Sequence, residues 1–296
     1  MLIKDIYLQK VPILSFEIFP PKPEYPLDSV YETIEGLKGL KPDFISVTYG
    51  AGGSNRARTI EITSHIKNNY QMEAQAHLTC VGHSPEELDT IITTLKNEGI
   101  ENILALRGDP PKGQPDYSPP PEFYRDATEL VRHIRRSGGF SIGAAAYPEG
   151  HVCSVKWQND WIHLRNKVDA GVDFLITQMF FDNRVFYNFI ENIQRLGVTV
   201  PVSAGIMPIL NIKQIKRMIN LSGASIPAKL LMMFDKYGEN NDDFEKAGIE
   251  YAINQIDDLL MNKVAGIHLM TMNKVDQTEI IIQNSKLAGK IDEECK

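Results

Sequence analysis

Glu17 stands in Ser15-Phe16-Glu17-Ile18-Phe19-Pro20-Pro21, a carboxylate between apolar residues with two prolines closing the segment. Apolar neighbours desolvate the anion, and desolvation raises a carboxyl pKa toward the range where a general acid works near neutral pH. A buried glutamate paired with a lysine or arginine has the same surroundings, so residue chemistry leaves both roles open. Arg107-Gly108-Asp109-Pro110-Pro111 sets a cation and an anion on either side of a glycine that admits close backbone approach. It suits a polar ligand or a self-contained surface ion pair. Gly50-Ala51-Gly52-Gly53-Ser54-Asn55 opens a helical pattern, but Asn55 stands where a dinucleotide fingerprint needs its third glycine, and no P-loop occurs. The turn can offer backbone amides to a ligand or serve as a plain connection. A phosphate-bearing cofactor then depends on other side chains and on helix N-termini. His77, Cys80 and His83 imitate a metal cluster, yet residues three apart on a strand, such as His77 and Cys80, face opposite ways, and no metal is expected.

Apolar, β-branched runs alternate along the chain with segments of helical period. Strands are expected at Ile13–Phe19, Asp43–Thr48, Glu73–Thr79, Asn102–Arg107, Phe140–Tyr147, Asp173–Gln178, Val200–Ala204 and Gly266–Thr271. Helices are expected at Asp28–Leu40, Asn55–Asn69, Pro85–Glu98, Glu122–Arg136, Val155–Ala170, Asn183–Leu196, Ile212–Asn220 and near Asp243–Asn262. Eight such units in 296 residues predict an α/β fold, a single (β/α)8 TIM barrel with extra C-terminal helices, over an open doubly wound sheet. Glu17, Thr48, His77 with Thr79, Arg107 with Asp109, Tyr147 and Gln178 then close the first six strands. In a parallel barrel these ends converge on one rim, where enzymes carry their sites. Six prolines among the twelve residues Pro110 to Pro121 exclude helix and sheet there and predict a loop over that rim or a rigid connector.

The formal net charge of −7 disfavours nucleic acid and acidic membranes as partners and favours a small molecule. No window approaches the roughly 18 apolar residues of a membrane span, and the N-terminal stretch lacks signal-peptide features, so a cytoplasmic protein is expected. Cys80, Cys153 and Cys295 are too few for a disulfide framework and read as free thiols. With no composition break, residues 1–296 read as one catalytic barrel domain.

Seven segments in order carry a resemblance: Ser15-Phe16-Glu17 with Pro20-Pro21, Ser46 to Ala51, His77-Leu78-Thr79-Cys80, Ala105 to Asp109, Ala145 to Glu149, Lys167 to Gly171, and Thr177 to Asp182. Together they resemble the methylenetetrahydrofolate reductase family, and in length the chain is similar to its short bacterial form, without a regulatory domain. The resemblance implies a flavin-containing barrel that reduces 5,10-methylenetetrahydrofolate to 5-methyltetrahydrofolate, with hydride from NADH or NADPH passing through FAD in a ping-pong sequence. A homo-oligomer is expected. The alternative is a methyl-branch subunit that depends on a separate electron-transfer or zinc-bearing partner protein.

The same resemblance implies roles for single residues. Glu17 corresponds to the general acid that protonates the folate amine, and Asp109 to the aspartate near flavin and pterin. Thr48, Gln178, Gln214 and Lys274 correspond to substrate-binding positions, Thr48 beside the nicotinamide and Gln178 serving both substrates. Tyr49, Ala51, His77, Arg107, Gly108, Asp109, Ala127, Tyr147, His151, Asp160, His163, Asn166 and Lys167 correspond to flavin-binding positions. Arg107, His151 and Lys167 are suited to diphosphate charge and Asp160 to ribose hydroxyls. His163, Asn166, Met218 and Lys274 depart from residues common in the family, so diphosphate and folate-tail contacts are expected to differ here.

Overall fold

Eight parallel strands pair in chain order and the eighth closes on the first. The structure is a computed structural model describing residues 1–50, 56–110, 113–114, 117–151, 154, 157–238 and 240–289. The order is α1 (Ile3–Gln9), β1 (Ile13–Ile18), α2 (Asp28–Lys38), β2 (Phe44–Val47), α3 (Arg56–Asn68), β3 (Ala74–Thr79), α4 (Pro85–Asn97), β4 (Asn102–Leu106) and α5 (Ala127–Ser137). It continues through β5 (Ser141–Ala146), α6 (Trp157–Asp169), β6 (Phe174–Thr177), α7 (Asn183–Arg195), β7 (Val202–Ile206), α8 (Ile212–Ser222), α9 (Ala228–Tyr237), α10 (Asn241–Met261), β8 (Gly266–Met270) and α11 (Val275–Asn284). The expected (β/α)8 barrel and all eight strands are present, each within about two residues of the sequence reading. Periodicity gives no bounds for α1 and α9, and α11 is an expected extra C-terminal helix. Helix α5 begins at Ala127, not Glu122, because the Asp126 carboxylate caps it by accepting from the amides of Thr128 and Glu129.

Strand alternation separates two cores. Leu14, Phe16 and Ile18 of β1 and Ile45 and Val47 of β2 pack outward against the helices. Ile13, Phe44, Leu104, Phe174 and Ile176 fill the lumen from within, and Ile3, Ile6 and Tyr7 of α1 plug its N-terminal end. Side-chain acceptors hold the plug: the amide of Ile3 donates to Asn102 Oδ1 at 2.8 Å, and the hydroxyls of Tyr7 and Ser203 meet at 2.7 Å. Gly143 makes room for the filling, since a Cβ there would lie 2.7 Å from the Phe174 ring. Above this apolar floor the inward positions turn polar.

Candidate active site

Register decides which polar residues meet. Ser15 of β1 lies beside His268 of β8, and Glu17 lies beside Ser46 of β2 and Met270 of β8. All point inward with His77 of β3, two residues beyond Gln75, which is paired with Ser46. His268 Nδ1 is 2.8 Å from Ser15 Oγ, and His77 Nε2 is 2.8 Å from Ser46 Oγ. Glu17 Oε2 sits between the two rings, 3.5 Å from His268 Nε2 and 3.7 Å from His77 Nε2. Its side chain keeps 23% exposure where His77 has 6% and His268 none, so it is the member of the cluster that water and ligands reach.

Burial raises the Glu17 carboxyl, as its apolar neighbours predict, but the polar contact with His268 and the closeness of His77 and His268 outweigh it. The net direction is downward, opposite to the expected shift, because the residues that decide it come from distant strands and not from Phe16 and Ile18. The partners are imidazoles, not a lysine or arginine. Burial pushes His77 down to about 4 despite the pull of Glu17, so its ring is neutral at neutral pH.

The second half of the rim gathers around Tyr147, at the end of β5. Its hydroxyl is pushed up by burial and by the carboxylates of Asp109 and Asp160, against the pull of Arg107. That set joins the ends of β4 and β5 to α6. Arg107 and Asp109 are exposed and flank Gly108, whose φ of +89° is the left-handed conformation glycine tolerates. A Cβ at Gly108 would lie 2.8 Å from that of Thr79, so the β4 end is packed tightly on β3. The Tyr147 and His151 rings meet edge to face at 5.0 Å. Asp160 accepts from the His151 amide at 2.7 Å and from the Ser154 hydroxyl at 2.9 Å, fixing the loop after β5. Lys167 turns inward and donates to the carbonyl of Ala145 at 2.7 Å.

Other expected site residues are placed less directly. The Tyr49 ring is buried among the outer core, with its hydroxyl 3.3 Å from His83 Nε2. Ala51 lies outside the described residues, as do Gly52 to Asn55 of that turn. Thr48 continues the inward side of β2 and is half-buried. Gln178 folds back so that its Oε1 accepts from the Met179 amide at 2.9 Å. Gln214 sits in the first turn of α8, where its amide donates to Asn211 Oδ1. Lys274 is exposed at the N-terminal boundary of α11. His163 and Asn166 line a polar cavity of about 350 Å³ with Asp126, Arg132 and Asp169, between α6 and the start of α5 where Ala127 lies.

His77 and Cys80 face opposite ways, His77 into the lumen and Cys80 into the outer core. Among the described residues no group of three histidine, cysteine or acidic side chains is placed to hold a metal ion. Cys80 is free and buried, and Cys153 and Cys295 lie outside the described residues. No described helix is long and apolar enough to cross a membrane. Ser15, Ser46, Gln75 and His268 were missed in sequence. Alternate polar residues along β1 (Ser15, Glu17) and β3 (Gln75, His77, Thr79) were the signal that could have found part of the cluster, whereas Ser46 and His268 are single polar residues in β2 and β8.

Several known proteins are similar. The profile of the family described as methylenetetrahydrofolate reductase matches residues 2–286. Methylenetetrahydrofolate reductase (NADH) 1 of Arabidopsis thaliana is 36% identical over 303 residues, covering 98% of this chain and 50% of that protein. The chain thus spans about half the length of such plant relatives. The 5,10-methylenetetrahydrofolate reductase of Escherichia coli K12 is 37% identical over 268 residues, covering 90% of this chain and 88% of that one. A solved structure of an uncharacterized Clostridium thermocellum protein, described as binding two copies of 5-methyl-5,6,7,8-tetrahydrofolic acid, superposes with a TM-score of 0.66. It has 17% identity and covers 98% of this chain and 100% of that one, a likeness of fold.

Proposed function

The chain belongs to the methylenetetrahydrofolate reductase family, and from that premise we propose that its barrel reduces 5,10-methylenetetrahydrofolate to 5-methyltetrahydrofolate with FAD and a reduced nicotinamide, the two substrates using one site in turn. The observation that carries this reading is the placement of Glu17. Among the described residues it is the carboxylate of the polar lumen cluster that a ligand on the rim can reach, and family membership supports a folate as that ligand. The plant relatives carry NADH in their names, which supports a nicotinamide as donor.

The rim residues fit a flavin. Thr79 Oγ1 is buried at the end of β3 with no hydrogen-bond partner among the described residues, beside the open backbone of Gly108. Arg107, Asp109 and Tyr147 around it supply both charges and an aromatic face. Lys167, Arg107 and His151 would meet the diphosphate, with Asp160 toward ribose hydroxyls and the backbones of Tyr49 and Gly108 against the ring system. His163 and Asn166 share their cavity with three carboxylates, those of Asp126, Glu129 and Asp169, so they suit a ribose or adenine better than a phosphate. When bound, FAD would supply the hydride relay between the nicotinamide and the folate.

The protein's own part is positioning and proton control. Glu17 is an anion in the open lumen, which is harmless to hydride transfer from a nicotinamide and favours the cationic product. A pterin that covers the lumen removes the remaining water from Glu17, strengthens the burial effect and raises the carboxyl, so that it holds a proton for the folate nitrogen-10 as the ring opens. Asp109 lies where an anion can accept from the pterin amino group and stabilise the positive iminium. Gln178 is freed for either substrate by giving up its bond to the Met179 amide. Thr48 borders the nicotinamide, and Gln214 and Lys274 face the aminobenzoate and glutamate tail, Lys274 as a point charge without a bidentate fork.

Stopped-flow mixing of the purified protein with NADH and then with the folate, read by flavin absorbance, tests the reading. Bleaching in the first step and recovery in the second are expected. Bleaching without recovery points to another acceptor. Absence of bleaching with NADH and NADPH points to a separate donor protein.

A further inference from the structure

The two imidazoles beside Glu17 are not equivalent. His77 directs one nitrogen, Nε2, toward both Ser46 Oγ at 2.8 Å and Glu17 Oε2 at 3.7 Å. His268 divides its nitrogens: Nδ1 meets Ser15 Oγ at 2.8 Å, and Nε2, buried and otherwise without a hydrogen bond among the described residues, faces Glu17 Oε2 at 3.5 Å. The His268 ring is fully buried and stacked near Phe44, centroids 6.4 Å apart. A buried polar ring in an apolar strand costs stability unless its polar atoms are used. Ser15 satisfies Nδ1, and the group that Nε2 faces is the Glu17 carboxylate.

We propose that His268 is a proton-positioning residue for Glu17 and that Ser15 governs its tautomer, so that the proton delivered to the folate is held by the Glu17–His268 pair. This rests on the folate-reducing reading given above. The pair shares one proton between His268 Nε2 and Glu17 Oε2, 3.5 Å apart, while Nδ1–H donates to Ser15 Oγ at 2.8 Å. When a pterin displaces water, the buried ion pair loses hydration and the neutral pair gains. The Nε2–H bond breaks and an O–H bond forms at Glu17 Oε2. The imidazole is left neutral with its hydrogen on Nδ1, still donating to Ser15. Glu17 gives that proton to nitrogen-10, and after product leaves, a solvent proton entering by the exposed edge of Glu17 restores the proton shared by the pair. The serine hydroxyl accepts from Nδ1–H or donates to a bare Nδ1, so either state of the ring is satisfied. The titratable groups facing Glu17 are His268 on β8 and His77 on β3, and those acting on His77 are Glu17 and His268. His77 cannot replace His268, because the nitrogen it turns toward Glu17 is the one already bonded to Ser46 Oγ at 2.8 Å, whereas His268 meets its serine through the other nitrogen.

The test compares the flavin-loaded parent with His268→Gln and Ser15→Ala. Glutamine keeps an N–H near the position of Nε2 but cannot hold a second proton. The first readout is infrared titration of the Glu17 carboxyl without folate, its band identified by loss in Glu17→Gln. The second is the pH profile of folate reduction by prereduced protein in a single turnover. In His268→Gln the carboxyl midpoint should rise by a pH unit or more, while the alkaline limb of folate reduction moves at least one unit toward acid. The rate at neutral pH should fall at least tenfold, and hydride uptake from nicotinamide should fall much less. Ser15→Ala should show the same opposed movements with smaller amplitude. A structural role moves neither midpoint, and unmoved midpoints with rates falling alike in both half-reactions overturn the proposal. If the parent fails to reduce the folate, the functional reading falls, and the infrared midpoint alone then decides the pair, a rise supporting it and no movement overturning it. If His268→Gln does not fold, Ser15→Ala carries both readouts.

Discussion

The Lys167 ammonium donates to the Ala145 carbonyl at 2.7 Å, which turns the one lysine of the Lys167 to Gly171 segment in toward β5. Burial pushes that ammonium down to about 8, against the pull of the Asp126 and Asp160 carboxylates. A lysine so placed titrates within a working pH range, and its charge state decides what anion it can hold.

FAD affinity should therefore depend on Lys167 with a definite sign. A diphosphate favours the cationic form, which is full below about pH 8 and is lost above it. Flavin binding should weaken as pH rises past about 8, approaching tenfold per unit. Lys167→Met should bind less tightly at pH 7 and show no such decline. Fluorescence titration of the apoprotein from neutral to alkaline pH measures both; a flat profile for the parent places the diphosphate elsewhere.

His77 should shape the acid limb of stability. Its folded pKa, about 4, lies below the ordinary 6.5, so the unfolded chain binds more protons between those values. The stability it confers is full above about 6.5 and is lost as pH falls toward 4. Glu17, also held below its ordinary value, loses its contribution as pH falls through its own folded value, so both act in one direction. Denaturant midpoints of the flavin-free protein should drop across that window, and His77→Gln should flatten the drop. Parallel curves for parent and variant would mean that the ring is not buried neutral.

The barrel was legible because most strands are short apolar or β-branched runs and the helices longer amphipathic ones, and a strict β–α alternation closes only as a parallel sheet. The short α1 escaped because its seven residues give barely two turns of period, and it is held by Asn102 and Ser203, far away in sequence. At the rim, Glu17, His77, Asp109 and Tyr147 were visible as polar residues ending apolar strands. Their electrostatics were not: the direction of the Glu17 shift is set by His268, 251 residues onward, which only the β1–β8 closure brings near. The direction of the Tyr49 ring follows from the fold, since one step of strand alternation sends it outward to His83 while Thr48 stays inward.

Flavin should be retained without a covalent link, because the candidate ring and diphosphate residues sit on separate strands and α6 and offer many contacts. The purified protein should be yellow, and acid denaturation should release FAD into the supernatant, identified by chromatography. Release of FMN, or of no flavin, removes the cofactor assignment while leaving the fold and family untouched.

Asp109 lies close enough to Tyr147 for its charge to push that hydroxyl upward, and the same charge should burden an anionic reduced flavin nearby. Asp109→Asn should give a more positive midpoint potential and slower folate reduction, since a better acceptor is a poorer donor and the iminium loses its counter-charge. Spectroelectrochemistry and single-turnover kinetics read the two effects. If neither changes, Asp109 serves only as a surface partner of Arg107.

Glu17→Gln separates proton delivery from binding, because the two half-reactions differ in what they need. Hydride transfer from a nicotinamide requires no general acid, whereas the folate ring does not open without a proton on its leaving nitrogen. Glutamine keeps the size of Glu17 and can still face His268 and His77, but it has no carboxyl proton to give. Folate reduction should fall by the roughly 10²–10⁴ of a lost general acid, while flavin reduction by NADH stays within about tenfold of the parent. A loss of similar size in both half-reactions would mean that Glu17 holds the lumen in shape between its two imidazoles. With folate reduction unchanged, the proton must come from another group, and Glu17 would be no more than the buried partner of His268.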